Sequence, residues 1–295
     1  AEDCLGIDQS PCKVIMPPQG DTIRFKNIRK QLKAPFICYC DFECLNVPVH
    51  NSLTNNTVTK KLTDHVPCSF SYVVVKFDGT AKEPVLYRAK DPSENVSHKF
   101  LQYIMREYWT CMNERQALFD LYKTNMIITD SEKEQFKRAT VCHICEQPFS
   151  KKDIKVADHC HYTGRYRGPA HQQCNIELKV NDKLIVAFFN LRGYDGHLLM
   201  NALGNYATSN ISVIANNMEK YLTFSLDKIQ FVDICQFMPG SLETLAKTLT
   251  QFPTTDSYWE DRPQVKALVH QKNFFPYDWL DSLQKFEATS LPPIE

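Results

Sequence analysis

The chain has 295 residues, with 34 Lys and Arg against 34 Asp and Glu, so its formal net charge is zero. At about 100–200 residues per domain, that length holds one large domain or two modest ones. The charge balance excludes a uniformly basic nucleic-acid coat and an acidic solvating tail, and an apolar content of 43% with 18 Phe and 13 Tyr excludes a disordered chain.

Residues 1–35 are dotted with Pro and Lys, show no period, and read as an arm or linker. Phe36-Ile-Cys-Tyr-Cys-Asp-Phe-Glu-Cys44 reads as a buried strand containing two acids. Residues 68–77 and 84–88 read as further strands, the first closed by the turn Asp78-Gly79, and the three together suggest an antiparallel meander. Phe100, Leu101, Ile104, Tyr108 and Cys111 recur at helical steps, which predicts a helix over 97–122. Beyond a Cys- and His-rich stretch, 184–189 is a buried strand, 196–206 a short helix, 221–226 and 228–234 paired strands, and 241–249 a helix with Ser241 as N-cap. The tail, 252–295, is rich in Pro, Trp and Tyr and reads as irregular. Alternating strands and helices give an α/β class.

The 12 Cys and 9 His are unevenly placed. Cys142, Cys145, Cys160 and Cys174, with His143, His159, His161 and His171, fall between positions 142 and 174. From Lys137 to Lys183 there are nine Lys or Arg against five Asp or Glu, a net of +4 hidden inside the neutral average. A chain of this size does not need disulfide staples, and no leader pattern opens it. The setting expected is therefore reducing and intracellular, a nucleus or a viral replication site. The longest apolar runs, such as 184–189, fall far short of the ~20 residues that span a bilayer, so no membrane role is expected. Asn55, Asn95 and Asn210 stand in N-x-S/T triplets, read here as chance. A start at Ala1 rather than Met is what a fragment would show.

Two groups of residues carry chemistry. Asp41 and Glu43 lie two apart on a strand, so both face the same side. Unpaired acids in an apolar strand are costly, which leaves a solvated strand end or a bound cation. Asn190-Leu-Arg-Gly-Tyr-Asp195 follows a buried strand and precedes a helix, placing Asp195 at a strand's carboxyl end, as a ligand-binding acid or as a helix cap. In the Cys/His island, Cys142-x-x-Cys145 and His171-x-x-Cys174 are two ligand pairs of equal spacing, a set that suits tetrahedral Zn²⁺.

Asp-x-Glu on a first strand with Asn-x-x-x-Tyr-Asp after a later one resembles the Exo I and Exo II motifs of the proofreading exonuclease of family-B DNA polymerases. Lys33 to Cys44, Phe231 to Lys247 and Phe275 to Pro293 look like successive blocks of the protein-primed members found in viruses, linear plasmids and Polinton-type mobile elements. The resemblance implies an RNase H-like 3′–5′ exonuclease domain with a mixed sheet and flanking helices. Asp41, Glu43 and Asp195 would hold Mg²⁺ or Mn²⁺ for two-metal phosphodiester hydrolysis. It also implies that Asn190, Tyr194, Ser241 and Leu242 meet the single-stranded 3′ end of a template-primer, although Ser241 is equally a helix cap. A terminal priming protein would be a partner. Tyr277 to Asp281 has the Tyr-x-x-x-Asp spacing of the family's fourth acid, but the family's block order puts that acid beyond Glu295. The palm motifs are absent, so this portion of a replicative polymerase is not expected to polymerise alone.

The island resembles recombination endonuclease VII, of the HNH or ββα-metal class. By residue match Asp158 and Asn175 would hold a catalytic ion, and His159 would be general base, imidazole being suited to proton transfer at neutral pH. His161 would be accessory, and Arg165, Arg167 and Lys179 would meet phosphate. His171 stands where that group usually has Cys. The organisation expected is an arm over 1–35, the first exonuclease part over 36–124, the zinc module over 125–183 and the second exonuclease part over 184–295. A nicking nuclease and a zinc-stabilised binding insert are both open for the module, and a non-catalytic DNA-binding remnant is the alternative for the whole chain.

Overall fold

The computed structural model describes residues 16, 18–20, 32–49, 62–178, 181–206, 208–217, 220–273 and 275–290. Most of the arm expected over 1–35 lies outside them, as does Lys179. Three strands open the fold: β1 (Phe36–Pro48), β2 (Thr63–Lys76) and β3 (Val85–Arg88). They form the expected meander, β2 pairing antiparallel with both neighbours. The long helix α1 (Val96–Tyr122) follows, started by Asn95, whose side chain accepts from the His98 N–H.

The chain then leaves the sheet for α2 (Asp130–Arg138), the hairpin β4 (Lys155–His159) and β5 (Tyr166–His171), and α3 (Gln172–Ile176). It returns as β6 (Leu184–Phe188), α4 (Asp195–Leu203), β7 (Ile211–Ala215), β8 (Tyr221–Leu226) and β9 (Ile229–Asp233). The result is a mixed seven-stranded sheet in the order β3-β2-β1-β6-β9-β8-β7. At its centre β1, β6 and β9 run parallel.

Alternation along β1 decides the core. Phe36, Cys38, Cys40 and Phe42 point to one face and are buried with Phe100, Leu101 and Ile104 of α1 and Leu199, Ala202 and Leu203 of α4. Phe42 stacks on Phe188 of β6 at 6.0 Å between ring centroids. Cys38, Cys40, Cys44, Cys68 and Cys111 are buried free thiols of this core and its rim. Tyr39, Asp41 and Glu43 take the opposite face.

Several elements were not foreseen in the sequence. The helix α2 carries a full capping box, Thr129 with Glu132, a signal that was legible there. The edge strand β7 is exposed along its length, so it lacks the buried alternation that marks a strand. The tail expected to be irregular holds α6 (Pro253–Tyr258) and α7 (Pro263–Val269), each begun by a proline at its first turn, where the missing N–H is not needed. Between β9 and these lies α5 (Leu242–Thr248).

Two candidate metal centres

The first centre lies midway along β1, where it passes the carboxyl end of β6 and the start of α4. Asp41 and Glu43 stand opposite Ser71 and Ser69 of β2, small side chains that leave the acids room. A bulge between Glu43 and Cys44 breaks the register directly after them and ends the regular face at this point. Asp195, the first residue of α4, is only 3% exposed. The Phe42 N–H donates to Asp41 Oδ1 at 3.1 Å and also lowers Asp195, so one amide serves both carboxylates.

The loop that delivers Asp195 is held from below. Asp233, fully buried at the end of β9, accepts from the N–H groups of Asn190 at 3.1 Å, Arg192 at 3.2 Å and Cys235 at 2.9 Å. Asn190 takes a left-handed backbone, φ 66°, and its amide lies where a Cβ on Gly193 would stand, 2.4 Å from Oδ1. A side chain at 193 would have to displace the Asn190 amide. In the sequence Asp233 stands within the block Phe231 to Lys247. The structure makes it the loop's anchor, a role that only its complete burial discloses.

The charges are crowded. Burial, then the Asp41 charge, push Glu43 up to about 7, with the Tyr277 hydroxyl and Lys272 working against them. Burial, then Asp41, likewise raise Asp195 to about 7. Asp41 is raised too, by burial. Glu43 Oε2 and Asp195 Oδ1 are buried without a hydrogen-bond partner. Buried carboxylate oxygens without donors are costly, and hard divalent cations are the group that would satisfy them.

The other residues expected at this centre divide. Tyr194 reaches it, its hydroxyl 2.7 Å from His65 Nδ1 and in contact with Cys44. Tyr277 hydrogen-bonds Glu43 from the tail. Asp281 turns instead to Lys285, at 2.9 Å, and to Ser282. Ser241 caps α5, accepting from the Thr244 N–H at 3.1 Å, and Leu242 is exposed beside it.

The second centre is the Cys/His set. Among the described residues, Cys142, Cys145, His171 and Cys174 are the group of His, Cys, Asp or Glu gathered tightly enough for one ion, with ligand atoms all within 4.8 Å of one another. The three acids of the first centre are more loosely grouped. Cys142 to Cys145 make a knuckle turned by Glu146, φ 59°, whose N–H donates to the Cys142 carbonyl at 2.8 Å. Burial would raise the Cys142 thiol, but the N–H groups of Cys145, His171 and Ile144 outweigh it and bring it down to about 6. Burial and the neighbouring sulfurs push Cys174 up to about 12, and a cation is what would let both be thiolates. His171 turns Nδ1 to Cys145 Sγ at 3.4 Å and Cys174 Sγ at 3.9 Å. Its Nε2 lies 3.4 Å from Asp153 Oδ2, an orienting carboxylate the sequence reading missed. The surrounding apolar cluster is small, Cys142, Ile144 and Ala170 with a few half-buried neighbours, so an ion held by the four ligands would add a cross-link to it.

The residues expected to cut DNA lie on and around the β4–β5 hairpin beside this set. Asp158 is 2% exposed, and both its oxygens are taken, one by Arg167 at 2.6 Å and one by His143 Nε2 at 3.0 Å. Burial raises it, but these two partners outweigh burial and hold it below the usual carboxylate range. Arg167 thus faces Asp158 rather than solvent phosphate. Gly168 makes this possible, since a Cβ there would meet His143 Cγ at 2.7 Å. His159 Nε2 is 2.9 Å from the Tyr122 carbonyl, and its ring is 4.8 Å from that of His161. Asn175 sits on α3 next to Cys174, and Arg165 is exposed in the β4–β5 turn.

Residues 119–187 match the family model of recombination endonuclease VII. No curated protein matches the chain, and no solved structure does. Nothing matched supports the family-B polymerase expectation, its replication role or a priming protein. The chain is a mixed α/β protein that carries an endonuclease VII-like module over 119–187, with its four-ligand Cys/His set inside it.

Proposed function

We propose that this protein acts on DNA, and that the endonuclease VII-like module is its zinc-stabilised DNA-engaging unit. The observation that carries this is the family match over 119–187 with all four candidate ligands gathered inside it. Cys142, Cys145, His171 and Cys174 would hold Zn²⁺, which supplies the cross-link that a small apolar cluster cannot. Arg165 and Lys179 would meet phosphate. For cleavage in the module, Asp158 and Asn175 would hold the catalytic ion. His159 Nε2 donates to the Tyr122 carbonyl, which leaves Nδ1 as the nitrogen able to take a proton from water. Asp158 serves only once Arg167 turns from it to a phosphate. The test is cutting of branched DNA by the zinc-loaded chain with Mg²⁺. Loss in His159→Ala with zinc content unchanged supports cleavage by the module; cutting that survives assigns the module to binding.

A second reading is favoured by the two partnerless buried oxygens, Glu43 Oε2 and Asp195 Oδ1. The sheet would be RNase H-like, its meander, parallel β1-β6-β9 centre and acids beside the carboxyl end of β6 consistent with that fold. The 3′–5′ exonuclease expected of a family-B polymerase portion would then reside here. Bound Mg²⁺ or Mn²⁺ would activate water and stabilise the leaving oxygen. Asp41, Glu43 and Asp195 would hold the ions, Tyr277 would fix Glu43, and Asp233 would hold the loop that presents Asp195. If the wild type with Mn²⁺ degrades single-stranded DNA no faster than an Asp41→Ala/Asp195→Ala variant, this reading fails.

A further inference from the structure

The face of β1 and β2 that bears Asp41 is only partly covered. The helix α6 crosses the β2–β3 turn, where Thr254 Oγ1 donates to the Gly79 carbonyl at 3.4 Å and the Tyr258 hydroxyl to Glu83 at 3.2 Å. A cleft of about 380 Å³ remains between helix and sheet. Its walls are mostly apolar and aromatic: Tyr39 and Val73 from the sheet, Tyr258 at the end of α6 and Trp259 just after it. Asp41 lines the same cleft.

The aromatic rings are available. Tyr39 is 40% exposed and Tyr258 44%. Tyr258 stands edge-on to Trp259 at 5.2 Å, and the Arg262 guanidinium lies over the Trp259 ring at 5.7 Å. Lys272 lies near enough to Asp41 and Glu43 to lower both. The cleft thus offers flat apolar faces, cations at its margin and a carboxylate on its wall. Ligand sites are commonly about 300–1,000 Å³, apolar with few polar groups, and aromatic faces with nearby Arg or Lys are how single strands are held without sequence preference.

We propose that this cleft takes the base of the terminal nucleotide of single-stranded DNA, stacked among Tyr39, Tyr258 and Trp259, so that the adjoining phosphodiester lies at Asp41. The inference rests on the acid centre being the hydrolytic one, but its test does not need hydrolysis. Arg262 and Lys272 meet the backbone phosphates, and the base is chosen by its flat face, so purines and pyrimidines are both accepted.

The zinc-loaded full chain, with no added magnesium or manganese, is photocross-linked to a thymidine 12-mer carrying 4-thiothymidine at the 3′ end. The attachment site is read by mass spectrometry. Attachment to Tyr39, Tyr258 or Trp259 is expected, with a yield that falls about fivefold or more in Trp259→Ala, the lower end of a base–aromatic stack. Tyr258→Phe keeps the ring and should keep the yield, which separates stacking from misfolding. Attachment confined to 125–183, or a terminal yield no higher than with the photoreactive base mid-strand, overturns the proposal. A positive cross-link beside unchanged DNA degradation in the Asp41→Ala/Asp195→Ala variant would retain the cleft as a DNA site and sink only the hydrolytic reading.

Discussion

The two centres use opposite ways of holding charge. The module gathers soft ligands on short elements, a knuckle and the first turn of a five-residue helix, around almost no core. The sheet places hard acids on long elements, at the edge of a core that holds α1 and α4 against three parallel strands. The module would depend on its ion for folding. The sheet would be folded already, and its ion would relieve repulsion among acids that the core has set in place. Metal would thus act as structure in one region and as chemistry in the other.

The sharpest break of that contrast is Cys142→Ser. It should abolish stoichiometric zinc, from one ion per chain to none by elemental analysis, and unfold 125–183, read as loss of amide protection there while β1, β6 and β9 stay protected. Protection lost across the whole chain would make the two regions one cooperative unit. Asp41→Ala with Asp195→Ala should do the reverse, lowering Mn²⁺-dependent degradation of single-stranded DNA by about a hundredfold or more while zinc is retained. Next is the orienting acid of the module. Asp153→Ala should weaken zinc about 10- to 100-fold in a competition with a chromophoric chelator, the range for loss of a carboxylate behind a metal-bound histidine.

The acid centre also predicts a pH dependence of its own. Glu43 and Asp195 sit at about 7 in the folded chain, above their ordinary 4.5 and 3.8. The folded state therefore holds more protons between about 4 and about 7, so stability is greatest below that window and falls as pH rises through it. At pH 8, without divalent ion, Asp195→Asn should raise stability by on the order of 2 kcal/mol, measured by urea unfolding. A loss of stability instead would mean that Asp195 is held by donors rather than by repulsion. The smallest effect expected is at the module's surface. Arg165→Ala should weaken DNA binding a few-fold and reduce the salt dependence by about one counterion.

Much of this was legible in the residues. Spacing alone paired Cys142 with Cys145 and His171 with Cys174, because a knuckle and a helical turn are local structures whose ligand reach is set by a few intervening residues. Period two alone put Asp41 and Glu43 on one face of β1, and helical steps marked α1. The capping box of α2 and the leading prolines of α6 and α7 were written just as locally and went unread.

What the tertiary structure decided are the long-range partners. Asp233 follows a strand like many other acids, and only the packing of β9 beside β6 turns it into the anchor of the 190–194 loop. Asp158 and Arg167 read in the sequence as an ion ligand and a phosphate contact, and only the β4–β5 hairpin brings the two within 2.6 Å of each other. The cleft between Tyr39 and Trp259 joins residues 220 positions apart. Sequence determines what a segment can do with its own neighbours, since backbone periodicity is local. Which carboxylate is free and which is already spent depends on surfaces that meet only after the chain has folded.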